Sequence, residues 1–144
     1  MPTLERQWLL YKETLARHGH PLPAMRPAVQ ELHLAPTREE AIAAARPLLE
    51  AKYAAAYAQW GQDKVLPGNE SFRVDFDQLA RDRFILGNPD DVIDQLERRV
   101  ERLECSFFCF RVGWPAMENY QQLKVIELMG AQVLPYFYRK YGRS

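Results

Sequence analysis

Arg111 and Trp114 follow closely on an aromatic run, Ser106-Phe-Phe-Cys-Phe-Arg-Val-Gly-Trp-Pro-Ala-Met117. The run is too short and too aromatic for a surface helix, and it reads as a fully buried strand of a helix-covered parallel sheet. Alternation puts Phe107, Cys109 and Arg111 on one face and Phe108, Phe110 and Val112 on the other, before Gly113 and Pro115 break the strand. A cation and a flat aromatic just beyond the carboxyl end of such a strand stand where α/β folds keep their chemistry. The structural alternative is an ion pair between Arg111 and Glu31 across neighbouring strands, with Trp114 capping the core.

Glu31 and His33 form the second candidate pair. They lie in Ala28–Ala35, where Leu32 and Leu34 share one face and Val29, Glu31 and His33 the other. Helices outside and a polar cavity inside would produce this pattern, and so would an edge strand of an antiparallel sheet. The pair suits acid–base work or a polar lining; the alternative is hydrogen-bonded structure.

Other chemistry is poorly supported. His18 and His20 lack further metal ligands at sensible spacing. Cys105 and Cys109 would lie roughly 13 Å apart along a strand at ~3.3 Å per residue, beyond the Cα separation of about 7 Å that a disulfide tolerates, and both read as core thiols. The sequence carries no dinucleotide-binding glycine run, Walker loop, nucleophile elbow or Cys/His zinc pattern. Nineteen basic residues balance nineteen acidic ones across 144 residues, so no net field argues for nucleic acid or an anionic membrane. The length fits one domain, residues 1–144. No apolar run approaches a membrane span, and the start lacks a secretory layout, which points to the cytoplasm.

Several elements must position these residues. Residues 3–17 show helical spacing of Leu4, Trp8, Tyr11 and Leu15, ended by His18-Gly19-His20-Pro21. Thr37-Arg-Glu-Glu40 is a capping box opening a helix to about Gly61. Its stripe is Ile42, Ala45, Leu49, Tyr53, Ala56 and Trp60, and a kink or break is expected at Pro47. Gln62–Ser71 reads as a polar loop, Phe72–Asp82 as irregular or weakly helical, and Phe84-Ile85-Leu86 as a short apolar run stopped by Gly87.

Asn88-Pro-Asp-Asp91 starts another helix, with Val92, Ile93, Leu96, Val100 and Leu103 as its stripe and Glu97, Arg98, Arg99, Glu101 and Arg102 as its solvated face. Glu118–Met129 is a last amphipathic helix carrying Leu123 and Ile126, interrupted by Gly130 and Pro135 before an aromatic, basic tail, Tyr136–Arg143. Four main helices and two strands result.

The order of motifs resembles the C-terminal portion of the luciferase-like monooxygenases, flavin- or deazaflavin-dependent oxidoreductases built on a (β/α)8 barrel. The matching stretches are Val-Gln-Glu-Leu-His-Leu-Ala followed by Thr-Arg-Glu-Glu-Ala, then Ala54-Ala-Ala-Tyr-Ala-Gln-Trp-Gly61 and Asp82-Arg-Phe-Ile-Leu-Gly-Asn-Pro-Asp-Asp-Val92. Phe110-Arg-Val-Gly-Trp-Pro-Ala-Met117, Ile126-Glu-Leu-Met-Gly and Val133-Leu-Pro135 complete the set.

The resemblance implies a helix-rich α/β fold, part of a TIM-type barrel, with two parallel strands side by side. It implies a flavin-dependent oxidoreductase using FMN or deazaflavin and a small-molecule substrate. Arg111 would bind a phosphate or anionic group at the cofactor mouth, Trp114 would wall the pocket by stacking, and Glu31 and His33 would line it. A full family member carries about six further strands before this point, and two strands cannot close a barrel. The expectation is therefore a portion without independent catalysis, possessing little of the cofactor pocket, whose open strand edges are covered by another copy or a partner chain. The alternative is a non-catalytic helical interaction or dimerisation module derived from the family.

Overall fold

A computed structural model describes residues 2–57, 59–61, 72, 74–81 and 83–142. The expected loop Gln62–Ser71, Asp82 and Arg143 lie outside the described residues, as does the side chain of Ala56. The elements in order are α1 (Pro2–Arg17), β1 (Pro27–Leu34), α2 (Arg38–Ala51), α3 (Phe76–Ala80), β2 (Phe84–Gly87), α4 (Pro89–Leu103), β3 (Phe107–Arg111), α5 (Asn119–Leu128) and α6 (Leu134–Tyr141). Wide π-helical turns continue α2 through Lys52–Tyr57 and join α5 to α6 through Met129–Val133.

The fold is the helix-rich α/β arrangement expected, with a small open parallel sheet. Its order is β2-β1-β3, so β1 is central and the described sheet has three strands, not two. The short run before Gly87 is itself a strand, every residue of it buried. Gly87 adopts φ +149, and a Cβ there would meet Asp91 Cβ at 2.4 Å. Only glycine lets the chain turn that tightly from β2 into α4.

Alternation sends Glu31, His33, Phe84 and Leu86 to one face of the sheet and Leu32, Leu34 and Ile85 to the other. On the first face Phe84 and Leu86 pack with Ala45, Leu49, Tyr53, Phe76 and Trp114. On the second, Leu32, Leu34 and Ile85 pack with Val92, Leu96, Val125, Met129 and Val133. Helices α2 and α4 thus cover opposite faces. The order requires it: the step from β1 to β2 and the step from β2 back across β1 to β3 run in opposite directions, and right-handed crossovers then fall on opposite sides.

The caps behave as their residue types dictate. Thr37 and Asn88 each form a complete capping box, with Glu40 and Asp91 reaching back to the cap amides. Helix α1 ends with His20 N–H on Leu15 O and Gly19 N–H on Ala16 O, a Schellman pair with Gly19 at φ +69.

Several expectations need correction. The aromatic strand β3 is an edge, not a fully buried ribbon: Phe107 is 51% exposed, Phe108 and Phe110 are partly buried, and Cys109 is exposed rather than a core thiol. Its apolar composition anticipated a cover on both faces, but only the Phe108–Phe110 face has one among the described residues. No break interrupts α2 at Pro47: the helix runs on to Ala51, because proline removes a single bond while Ala41, Ala45 and Leu49 stay buried on either side of it. Trp60 is 69% exposed and leaves the α2 stripe; Phe72–Asp82, by contrast, contains the short helix α3, in line with the weakly helical alternative.

Leu123 and Ile126 are exposed; Val125, Met129 and Val133 are the buried stripe. Gly130 lies within a wide turn that carries the helix on, and Pro135 enters at the first turn of α6, where no donor is required. Arg99, assigned to the solvated face, is buried.

Candidate functional site

Glu31 is the hub of the site. Strand β1 carries it in the centre of the sheet, opposite Phe84 on one side and Arg111 on the other. Its carboxylate is 4% exposed and collects four donors. Trp114 Nε1–H donates to Oε2 at 2.5 Å, and Lys52 Nζ donates to Oε1 at 2.5 Å. Arg111 Nη1 and the Tyr53 hydroxyl also reach Oε1, at 3.3 and 3.4 Å. Arg111 Nη1 further donates to the Tyr57 hydroxyl at 3.1 Å. Burying a carboxylate is costly unless its lone pairs are satisfied in this way.

Lys52, Tyr53 and Tyr57 were not expected at the site, although Tyr53 was expected on the buried stripe of α2 and lies there. All three lie on the π-helical turns that continue α2 from Lys52. Such turns recur at functional positions. The Tyr53 and Tyr57 rings meet edge-to-face with centroids 4.8 Å apart. The Tyr53 phenol is held well above its ordinary range by burial first and by the Glu31 charge second, so it stays a donor.

Of the residues expected at the site, Arg111, Trp114 and Glu31 are brought into direct contact, and His33 lies beside them. The ion pair from Arg111 to Glu31 is formed. The Arg111 side chain is nonetheless half exposed, so its guanidinium still meets solvent at the carboxyl end of β3. Trp114 is buried, and its indole N–H is committed to Glu31. Among the described residues, no cluster of His, Cys, Asp and Glu is arranged to hold a metal.

His33 stands two residues beyond Glu31 on the same face, with its ring 5.9 Å from that of Trp114. It is buried, and its Nδ1 has no hydrogen-bond partner among the described residues. It also lines a cavity of about 590 Å³ between α2 and α5, with Glu40, Tyr120, Gln121 and Lys124. Burial holds the imidazole below its usual pKa, so the folded protein keeps it neutral. The unfolded chain then binds more protons near the ordinary histidine pKa. This contribution to stability is fully present above pH about 6.5 and is lost as pH falls below that value. His33→Phe should flatten the acid limb of a plot of urea midpoint against pH. An unchanged acid slope in the variant would exclude the assignment.

No protein-family model matches the chain, and no curated protein matches its sequence significantly. None of its described helices is long and apolar enough to cross a membrane. Among solved structures, the monooxygenase RslO1 from Streptomyces bottropensis superposes with a TM-score of 0.69 at 19% identity, over 93% of this chain and 38% of that one. The oxygenating constituent of 3,6-diketocamphane monooxygenase from the CAM plasmid of Pseudomonas putida, a type II Baeyer-Villiger enzyme solved with FMN, gives a TM-score of 0.64 at 20% identity, over 92% of this chain and 39% of that one. The chain shares its fold with these monooxygenases and spans less than two-fifths of their length.

Proposed function

We propose that this chain is the C-terminal portion of a luciferase-like, flavin-dependent monooxygenase or oxidoreductase, with no catalysis on its own. The observation that carries the reading is the half-exposed Arg111 guanidinium, held at the carboxyl end of a parallel strand by Glu31 and Tyr57. Together with a fold shared with monooxygenases, one of them solved with FMN, it supports an anion-binding role. Arg111 would take the flavin phosphate or an anionic substrate group. Glu31 and Trp114 would fix its direction, and the neutral His33 would offer its Nδ1, which no described residue partners, to a polar group in the adjoining cavity. When bound, FMN or deazaflavin supplies the electrons for oxygenation; this chain's share is binding and orientation. A cytoplasmic setting and a small-molecule substrate go with the reading.

The exposed Val29 and Phe107 beside the open edge favour a second reading, a non-catalytic interaction module. A fluorescence titration of the chain with FMN separates the two. Saturable quenching, weakened about tenfold or more by Arg111→Ala, is expected if the guanidinium holds the phosphate. No quenching at high micromolar FMN, or quenching indifferent to Arg111, would favour the module.

A further inference from the structure

The outer edge of β3 joins exposed apolar side chains to backbone groups that no described strand pairs. Edge strands of this kind are ordinarily covered, charged or cut short. We infer that β3 is the self-pairing edge of a symmetric dimer, in which the β3 strands of two copies lie antiparallel and fuse the two sheets into one. This goes beyond the flavin reading and does not rest on it.

The strand is complementary to itself. A two-fold axis normal to the sheet at Cys109 makes the two edges antiparallel. Phe107 then lies opposite Arg111 of the second copy, Phe108 opposite its Phe110, and Cys109 opposite its own counterpart. Strand alternation puts Phe107, Cys109 and Arg111 on the exposed face, where each Phe107 ring meets a half-exposed guanidinium. Arg111 makes its contacts to Glu31 and Tyr57 through Nη1. On the other face Phe108 and Phe110 stack 5.7 Å apart and wall a mainly apolar cavity of about 520 Å³ with Phe137 and Tyr141. That cavity adjoins the space where the second pair of rings arrives, and aromatic cross-strand pairs stabilise sheets.

Two neighbouring same-face registers are worse. Centring the axis on Arg111 sets two guanidinium groups against each other, which is destabilising. Centring it on Phe107 leaves Arg111 without a ring. With equal numbers of acidic and basic residues, no net charge holds two copies apart.

Cys109 makes the register testable. Opposed residues of antiparallel strands have Cα atoms about 4.5 or 5.5 Å apart, both within the range of about 4.4–6.8 Å that a disulfide spans. The full chain should sediment as a concentration-dependent dimer. Under diamide, which takes up the two electrons and two protons of a thiol pair, it should become covalently linked between the two Cys109 side chains, as located by non-reducing peptide mapping. Cys109→Ser should still dimerise but should not be linked.

Phe107→Lys alters an exposed residue and brings a like charge to Arg111 of the second copy. It should weaken dimerisation about tenfold or more while leaving the far-UV circular dichroism unchanged. A monomer at every concentration, a dimer indifferent to Phe107→Lys, or linkage through Cys105 would overturn the inference. None of these readouts involves flavin, so either conclusion can fail while the other stands.

Discussion

Glu31→Ala is expected to lower the stability of the folded chain by about 3–5 kcal/mol, the range found when one partner of a buried ion pair is removed. The carboxylate is buried beneath four donors, and two of them are cations. Without it, Lys52, whose side chain is only 13% exposed, stands near Arg111 with no anion at Glu31's position. The Trp114 indole N–H loses its acceptor in a buried setting, a further cost of the kind that unsatisfied donors carry. Against a typical total stability of about 5–15 kcal/mol, such a loss populates the unfolded state measurably.

Urea unfolding followed by tryptophan fluorescence reads it directly. The double variant Glu31→Leu/Lys52→Met should recover much of the loss, since apolar residues of similar volume often replace a buried pair at little cost. If Glu31→Ala costs less than about 1 kcal/mol, the hub assignment fails, because that is the scale of an exposed pair.

The elements themselves were largely legible. Thr37 and Asn88 announce their helices because capping is local chemistry, settled by residues three positions apart. The pairing of β1 with β3 and the contact of Arg111 with Glu31 also followed from alternation and from a cation and an anion on adjacent strands. What could not be read is what lies next to what. Strand order is a long-range property, so nothing within the run Phe107–Phe110 reveals that it forms an edge while the less apolar β1 takes the centre.

The phase of a weakly amphipathic helix is harder to read. Leu123 and Ile126 suggested the inward face of the last helix, whereas Val125, Met129 and Val133, at intervals of four, are the residues that turn inward. Spacing did place Tyr53 on the buried stripe, but nothing in the sequence marked it, Lys52 or Tyr57 as belonging to the site. Spacing on β1 proposed Glu31 as a partner, but the donors arriving from α2 depend on a backbone irregularity that no residue type announces.

Arg99 was open to a better reading, because Val92, Leu96, Arg99 and Leu103 fall at intervals of four, three and four and are all buried in α4. Charge alone suggested solvent; register placed the residue inward. There its Nε donates to Gln30 Oε1 at 3.1 Å, Nη1 to Gln95 O at 2.9 Å and Nη2 to Phe84 O at 3.4 Å. Gln30 is buried as well, on the face of β1 that meets α4. The guanidinium therefore ties α4 to both β1 and β2 through acceptors that water does not reach.

Arg99→Ala should cost about 2–4 kcal/mol, combining lost hydrogen bonds to a charged donor with a buried Gln30 amide left short of a partner. Gln30→Leu/Arg99→Met exchanges the polar pair for apolar groups of comparable size and should recover most of that loss, giving a favourable coupling energy in a double-mutant cycle. Additive effects of the two substitutions would mean that Arg99 acts through packing alone. A second cycle discriminates between the two faces of the sheet. The Arg99 and Glu31 networks lie on opposite sides of β1, so combining Arg99→Ala with Glu31→Ala should give a sum of independent losses, whereas each network should be strongly non-additive within itself.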